Sequence, residues 1–366
     1  MRSILALFSL AAVLMPAAHA ADWTVFIGTY TRGTSKGIYA ARFDDKTGKL
    51  TSLGLAAGTS NPSFLALHPN QRFLYAANEN AQGTVSAFAI DATTGRLKLL
   101  SIVSSKGSGP CHVELDRSGQ FLFAANYNSG SVAVFPVREN GTLGEASKSV
   151  QHSGSSANPQ RQEGPHAHSA NIAPDNRFVL VLDLGLDQIM AYSRQLNIGA
   201  TTKMDPGSGP RHMAFRADGK FAYVLSELTS TVTAFHYDGR TGTLDELQTV
   251  STLPASYSGP RSGAEIAIHP SGKFLYASNR GYDSIALFRI DPDKGTLTAA
   301  GHIPTQGKTP RNFAIDPTGA FLLAANQDSG TIVEFRIDQK TGALAPTGIG
   351  LQVPFPVSIV FAPARR

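Results

Sequence analysis

The chain has 366 residues, 42% hydrophobic and 16% charged, with 35 glycines, 21 prolines and a single cysteine, Cys111. One cysteine excludes an intrachain disulfide, so the fold must rest on a large core rather than on covalent staples. The formal net charge of +5 is spread over lysines and arginines with no run of five or more, which speaks against nucleic-acid binding and for a solvated basic surface.

Residues 1–20 read as a leader peptide. Met1-Arg2 gives a basic start, Ile4 to Met15 an apolar stretch too short to span a bilayer, and Ala18-His19-Ala20 small residues at a cleavage site. Cleavage after Ala20 predicts a periplasmic or secreted protein of residues 21–366, whose net charge falls to +4 as Arg2 leaves. No later stretch reaches the roughly 18 consecutive apolar residues of a membrane helix, so no membrane association is expected after the leader is removed.

Three strands open the mature chain, over Trp23 to Ile27, Gly37 to Phe43 and from Leu50 onward, with a turn at Asp44 and Gly48. A repeat then takes over. Strands starting at Phe73, Phe121, Phe178, Phe221, Phe274 and Phe321 are versions of one another, 43 to 57 residues apart. Each follows a proline (Pro62, Pro110, Pro165, Pro210, Pro260 and Pro310) and precedes an alternating strand such as Ser131 to Phe135. In four repeats a turn with Asp and Gly four apart follows, as at Asp91/Gly95 and Asp338/Gly342, and a fourth strand completes the unit. Four short antiparallel strands in that length make a propeller blade. The second strand of each unit is almost continuously apolar, as expected where neighbouring blades cover both faces. The last stretch, Pro356 to Phe361, reads as a first strand with nothing after it. Docked on the three N-terminal strands it would complete a seventh blade. The prediction is one all-β domain over residues 21–366, a seven-bladed β-propeller closed by its C-terminal strand.

Antiparallel pairing places the start of each first strand beside the end of the second. Because first strands line the channel of a propeller, residues after each repeat proline should converge at one mouth with residues after each second strand. The first group is Cys111, His112, His166, His168, Arg211, His212, Arg261, Arg311 and Asn312; the second is Glu79, Tyr127, Asn128, Asp183, Glu227, Arg280 and Gln327. The opposite rim carries mainly turn residues, such as His68-Pro69 and Asp316-Pro317. His166 and His168 alternate along a strand, so one of them should face the channel. Asn78, Asn126, Asn279 and Asn326 read as turn-formers capping the second strand, and Cys111 as a small buried packer. The Ser/Gln-rich insertion from Gln151 to Gln162 should lie over the mouth and bring Arg161 to it. Histidines 112, 166 or 168, and 212, with Glu227, would also suit a metal, but the arginines at the same mouth oppose a cation. No metal or other cofactor is expected.

At these residues the sequence resembles the β-propeller lactonases, a family that includes bacterial 6-phosphogluconolactonases and carboxy-cis,cis-muconate cyclases. The resemblance spans essentially the whole mature chain. It rests on Phe26 to Tyr30, Arg161 to His168, Asp183 to Asp187, Gly209 to His212, Glu227-Leu228, Ser278 to Arg280 and Ala325 to Gln327, in that order on the repeat. It implies catalytic roles for His166 or His168, Arg211, Glu227 and Arg280; Arg161, His112, His212, Tyr127, Asp183 and Gln327, which the topology brings to the same mouth, are the substrate-binding candidates. It also implies a small lactone substrate, anionic or sugar-derived. Histidine can activate water, guanidinium groups can stabilise the oxyanion, and Glu227 can orient the histidine or protonate the departing ring oxygen. No nucleophile elbow is present, so water is the expected attacking group. The implied activity is hydrolysis of a sugar lactone, 6-phosphogluconolactone-like, with export favouring an unphosphorylated gluconolactone. The competing expectations are a muconate-type cycloisomerase and a non-catalytic propeller that binds partners.

Overall fold

The computed structural model describes residues 22–365. The predicted leader therefore lies outside the described residues. Seven four-stranded antiparallel sheets follow one another around a central channel. We number them as blades: blade 1 comprises residues 22–58 with 356–363, blade 2 62–104, blade 3 110–151, blade 4 167–203, blade 5 210–251, blade 6 263–304 and blade 7 310–352. The C-terminal strand Pro356–Pro363 pairs antiparallel with Asp22–Thr29, Val25 opposite Phe361 and Ile27 opposite Ile359. The ring is thus closed by the two ends of the chain, as the sequence predicts.

Apolar side chains gather into seven clusters, each shared by two neighbouring blades: one combines Phe73 and Tyr75 with Val113 and Leu122, another Val25 and Phe43 with Phe321 and Leu323. This explains the apolar second strands. Phe73–Asn78, Phe221–Ser226, Phe274–Asn279 and Phe321–Asn326 are buried at every position, because a blade covers each face. Tyrosines on these strands tie blades together: the buried hydroxyls of Tyr75, Tyr223 and Tyr276 donate to the carbonyls of Gly141, Gly295 and Gly342 in the next blade. A buried phenol needs such an acceptor. The Asp/Gly turns form as expected, with Gly95 at φ 72° and Asp91 Oδ1 accepting the N–H groups of Thr93 and Thr94.

One feature of the first strands breaks the alternation assumed above. In each blade the pairing of first and second strands shifts near the channel mouth. Pro110 pairs Asn126 but His112 pairs Ala125; Ala167 pairs Asp183 but Ser169 pairs Leu182; Pro210 pairs Ser226 but His212 pairs Leu225. Each first strand therefore carries a bulge, which re-aims a side chain next to the channel. The residues at the bulges are Ser63, Cys111, His168, Arg211, Ala264, Arg311 and Val357.

Candidate active site

The mouth is built from two rings of positions. The bulge residues form one; the residues just beyond each second strand form the other: Tyr30, Glu79, Tyr127, Leu184, Glu227, Arg280 and Gln327. Glu227 is the hub. Its Oε1 accepts from Arg161 Nη2 at 2.6 Å, and its Oε2 from Arg211 Nε at 3.0 Å and Arg280 Nη2 at 2.7 Å. Arg211 and Arg280 also donate to the carbonyls of Ala264 and Gly263 at the start of blade 6. Burial alone would push Glu227 up, but Arg280, Arg211 and Arg161 outweigh it and hold the carboxyl well below the usual range. The cost of crowding guanidiniums falls on Arg211, which burial and the charges of Arg280 and Arg311 lower to about 10.

His168 is 4% exposed, and its Nε2 lies 3.9 Å from Glu227 Oε2, outside direct hydrogen-bond reach. Burial, followed by the positive charge of Arg211 and its neighbours, keeps this imidazole well below its ordinary value and hence neutral near pH 7. Cys111 packs beneath it, Sγ 3.2 Å from the His168 carbonyl, with its thiol pushed up by burial. His166 stands beside the mouth. Its ring stacks on Tyr127 at 4.5 Å and its Nδ1–H donates to the Tyr127 carbonyl at 3.0 Å, while the Tyr127 hydroxyl accepts from Arg161. The expectation that only one of the two histidines faces the mouth gives way to the bulge: both contact Tyr127, His168 edge-on at 5.4 Å.

Arg161 arrives on a pinned strap. Gln162 is fully buried, donating to the Leu184 carbonyl and accepting from the Asn158 N–H. Ser156 donates to Asp187, whose carboxylate also accepts from the N–H groups of Gly207 and Gly209. At the strap's base, His152 Nδ1 meets Asp183 Oδ2 at 2.6 Å and the Tyr192 hydroxyl donates to His152 Nε2. A Cβ on Gly185 would collide with the Gly164 carbonyl, so the strap's approach requires glycine there.

The remaining sequence candidates sit elsewhere. Asp183 is fully buried; its second oxygen accepts from the N–H groups of His166, Gly185 and Leu186. Its position matches Asn78, Asn126, Asn279 and Asn326, one residue before the mouth ring, but those asparagines instead donate to carbonyls just past the preceding fourth strand, those of Ser60, Ser105, Thr252 and Thr305. His112 and His212 lie one layer deeper in the channel, 5.4 Å apart, with His212 Nδ1 paired to Glu265 at 3.0 Å. Gln327 is at the rim, donating to Asp328. Arg261 is exposed, because the first strand of blade 6 begins only at Gly263. The opposite rim is less bland than its turns suggest: a cavity of about 500 Å³ opens there, lined by His112, Glu114, Asn171, His212 and Glu265 among others. Tyr30, Gln162 and Asp187 stand in the motifs that carry the family resemblance but have no expected part in the mouth or the strap, and His152 is not singled out by the sequence; its one visible signal is the interruption of the repeat between blades 3 and 4.

A closed seven-bladed propeller with a carboxylate-anchored arginine cluster and an adjacent neutral histidine at one channel mouth belongs to the class of propeller enzymes acting on small polar molecules. The family model for the seven-bladed β-propeller lactonases matches residues 24–361, and the chain belongs to that family. It is 38% identical to a 6-phosphogluconolactonase of Bacillus subtilis over 292 residues, covering 79% of this chain and 83% of that one. It is also 38% identical to a 6-phosphogluconolactonase of Formosa agariphila over 304 residues, covering 79% and 85%. Among solved structures, the periplasmic gluconolactonase of Pseudomonas aeruginosa superposes with a TM-score of 0.89 at 34% identity, over 94% of this chain and all of that one.

Proposed function

We propose that the protein hydrolyses a sugar lactone of the gluconolactone type, with or without a 6-phosphate, at the mouth organised by Glu227. The observation that carries this reading is the convergence of Arg161, Arg211 and Arg280 on one buried carboxylate, 3.9 Å from an uncharged histidine. His168 Nε2 and Glu227 Oε2 are spaced so that one water molecule can bond to both. His168 accepts a proton from that water as its oxygen adds to the lactone carbonyl carbon. The N–H groups of Arg161 and Arg280 not engaged by Glu227 stabilise the oxyanion. Collapse of the intermediate breaks the bond to the ring oxygen, and His168 returns the proton to it, leaving a hydroxy acid. With its carboxyl held ionised, Glu227 is an anchor for the arginines rather than a proton donor. His166, through Tyr127, and Asp183, through the His166 N–H, are positioning residues, and His112 and His212 support the channel below.

Kinship with a periplasmic gluconolactonase supports the reading of residues 1–20 as an export signal; the mass of mature protein from a periplasmic extract should correspond to a chain starting at Ala21. The activity is tested by following glucono-1,5-lactone and 6-phosphogluconolactone opening by NMR, with His168→Asn and Arg280→Ala beside the wild type. Wild type should exceed the spontaneous rate on at least one lactone, and both variants should fall toward that background. A wild-type rate equal to the background on both would refute the reading.

A further inference from the structure

The mouth has a second half that the chemistry above does not use. The reacting groups lie on blades 3 to 6, while blades 7, 1 and 2 contribute Arg311, Tyr30 and Glu79. Tyr30 Oη donates to Glu79 Oε2 at 2.9 Å, and the Arg311 guanidinium lies over the Tyr30 ring, 5.3 Å from its centroid. Arg311 occupies the bulge position of blade 7, as Arg211 does in blade 5, so its side chain starts from the same level of the channel. Its neighbours in the bulge ring are small: Ala264, Val357 and Ser63.

Four arginines thus face this mouth, but they are not equivalent. Arg161, Arg211 and Arg280 all converge on Glu227. Arg311 is half-buried and, among the described residues, its guanidinium forms no hydrogen bond or ion pair within 4 Å; it lies over the face of an aromatic ring, with the carboxylates of Glu79 and Glu227 acting on it from farther off. A guanidinium carries five donors in a planar fork that matches an oxyanion, and a ring face accepts none of them in that way. A guanidinium at the mouth with its donors unengaged favours an anionic ligand.

We infer that Arg311, flanked by Tyr30 and Glu79, forms a distal subsite that binds an acidic oxyanion, carboxylate or phosphate, on the end of the lactone remote from its carbonyl. This rests on the lactone-opening reading, and it makes Arg311 the residue that sets preference among lactones. The phenol–carboxylate pair beside it suits hydroxyl groups of the same ligand, Glu79 accepting and Tyr30 orienting.

Three lactones separate the cases: neutral glucono-1,5-lactone, 6-phosphogluconolactone and glucarolactone with its free carboxylate. Wild type should favour at least one acidic lactone over the neutral one by about tenfold or more in kcat/KM, and the better acidic lactone identifies the oxyanion. Arg311→Ala should abolish that preference, mainly through KM, while opening of the neutral lactone stays within about threefold of wild type. Inorganic phosphate or acetate should inhibit opening of the neutral lactone by wild type and not by the variant. Arg311→Lys, which keeps the charge and loses the fork, should retain part of the preference and reads the same ratio if Arg311→Ala does not fold. A wild type without preference for either acidic lactone overturns the subsite, as does an equal loss on all three in both variants. If wild type opens none of them, the proposed function fails instead. Calorimetric binding of phosphate and of glucarate, present in wild type, weakened in Arg311→Lys and absent in Arg311→Ala, then still supports the subsite, and equal binding in all three or none in wild type overturns it.

Discussion

Two buried carboxylates, one at each end of the channel, behave in opposite ways. At the mouth, Glu227 is 5% exposed yet stays ionised, because three guanidiniums outweigh its burial. At the other end, Glu114 lines the cavity with one backbone N–H, from Ile172, on its carboxylate, and burial pushes it up to about 7. Glu114 lies within a first strand and Glu227 just beyond a second, and the arginines at positions 161, 211 and 280 make the difference. Burial alone gives a carboxyl that takes up a proton, whereas burial among fixed cations gives an anchor for guanidiniums.

The largest effect should come from the mouth. His168→Asn is expected to lower kcat by roughly 10²- to 10⁴-fold, the usual range for a general base, read from initial rates, with a cooperative melting curve showing that the fold is retained. Next, Glu227→Gln strips the charge from beneath three arginines. Activity should fall about 10²-fold through misplaced guanidiniums, and denaturant melts should show a loss of about 3 kcal/mol or more from unpaired buried charge. Arg161→Ala removes only the strap's contribution, so KM should rise about tenfold with a smaller change in kcat.

The smallest effects concern pH, where the two glutamates should leave opposite signatures. Glu227 is lowered from its ordinary 4.5, so its contribution to stability is present above about pH 4.5 and is lost as pH falls from there toward the lowered folded value. Glu114 is raised, so its contribution is complete below about 4.5 and is lost as pH rises to about 7. Urea midpoints measured across pH should therefore lose part of their acid-side slope in Glu227→Gln and part of their slope between about 4.5 and 7 in Glu114→Gln. Glu334, also raised to about 7 by burial, adds to the latter slope, and the lowered histidines His112, His168 and His212 oppose it. Slopes identical to wild type in both variants would break the contrast.

Much of this was legible in the sequence because a propeller repeats its physics. Phenylalanine at each second-strand start, proline before each first strand and the Asp/Gly turns recur because each blade meets the same neighbours, and the orphan strand at Pro356 announced the closure. The site was legible to the level of topology, which brought His168, Arg211, Glu227 and Arg280 to one mouth. What failed was register. Strict alternation separated His166 from His168, but a bulge adds a residue that no periodicity in one strand reveals. Asp183, expected among the substrate-binding residues, is fully buried one position before the mouth ring, where its carboxylate accepts from the N–H groups of His166, Gly185 and Leu186. The strap contacts of His152, Gln162 and Asp187 lie in or against the stretch where the repeat lapses, so no neighbouring blade supplies a template for them.

The contrast between the two ends of the channel can be tested in one experiment: lactone opening by wild type, Glu227→Gln and Glu114→Gln, followed side by side by NMR against the spontaneous rate. The account predicts that Glu227→Gln falls close to background while Glu114→Gln keeps the wild-type rate. Retained activity in Glu227→Gln, with loss in Glu114→Gln, would move the chemistry to the other end of the channel and contradict it.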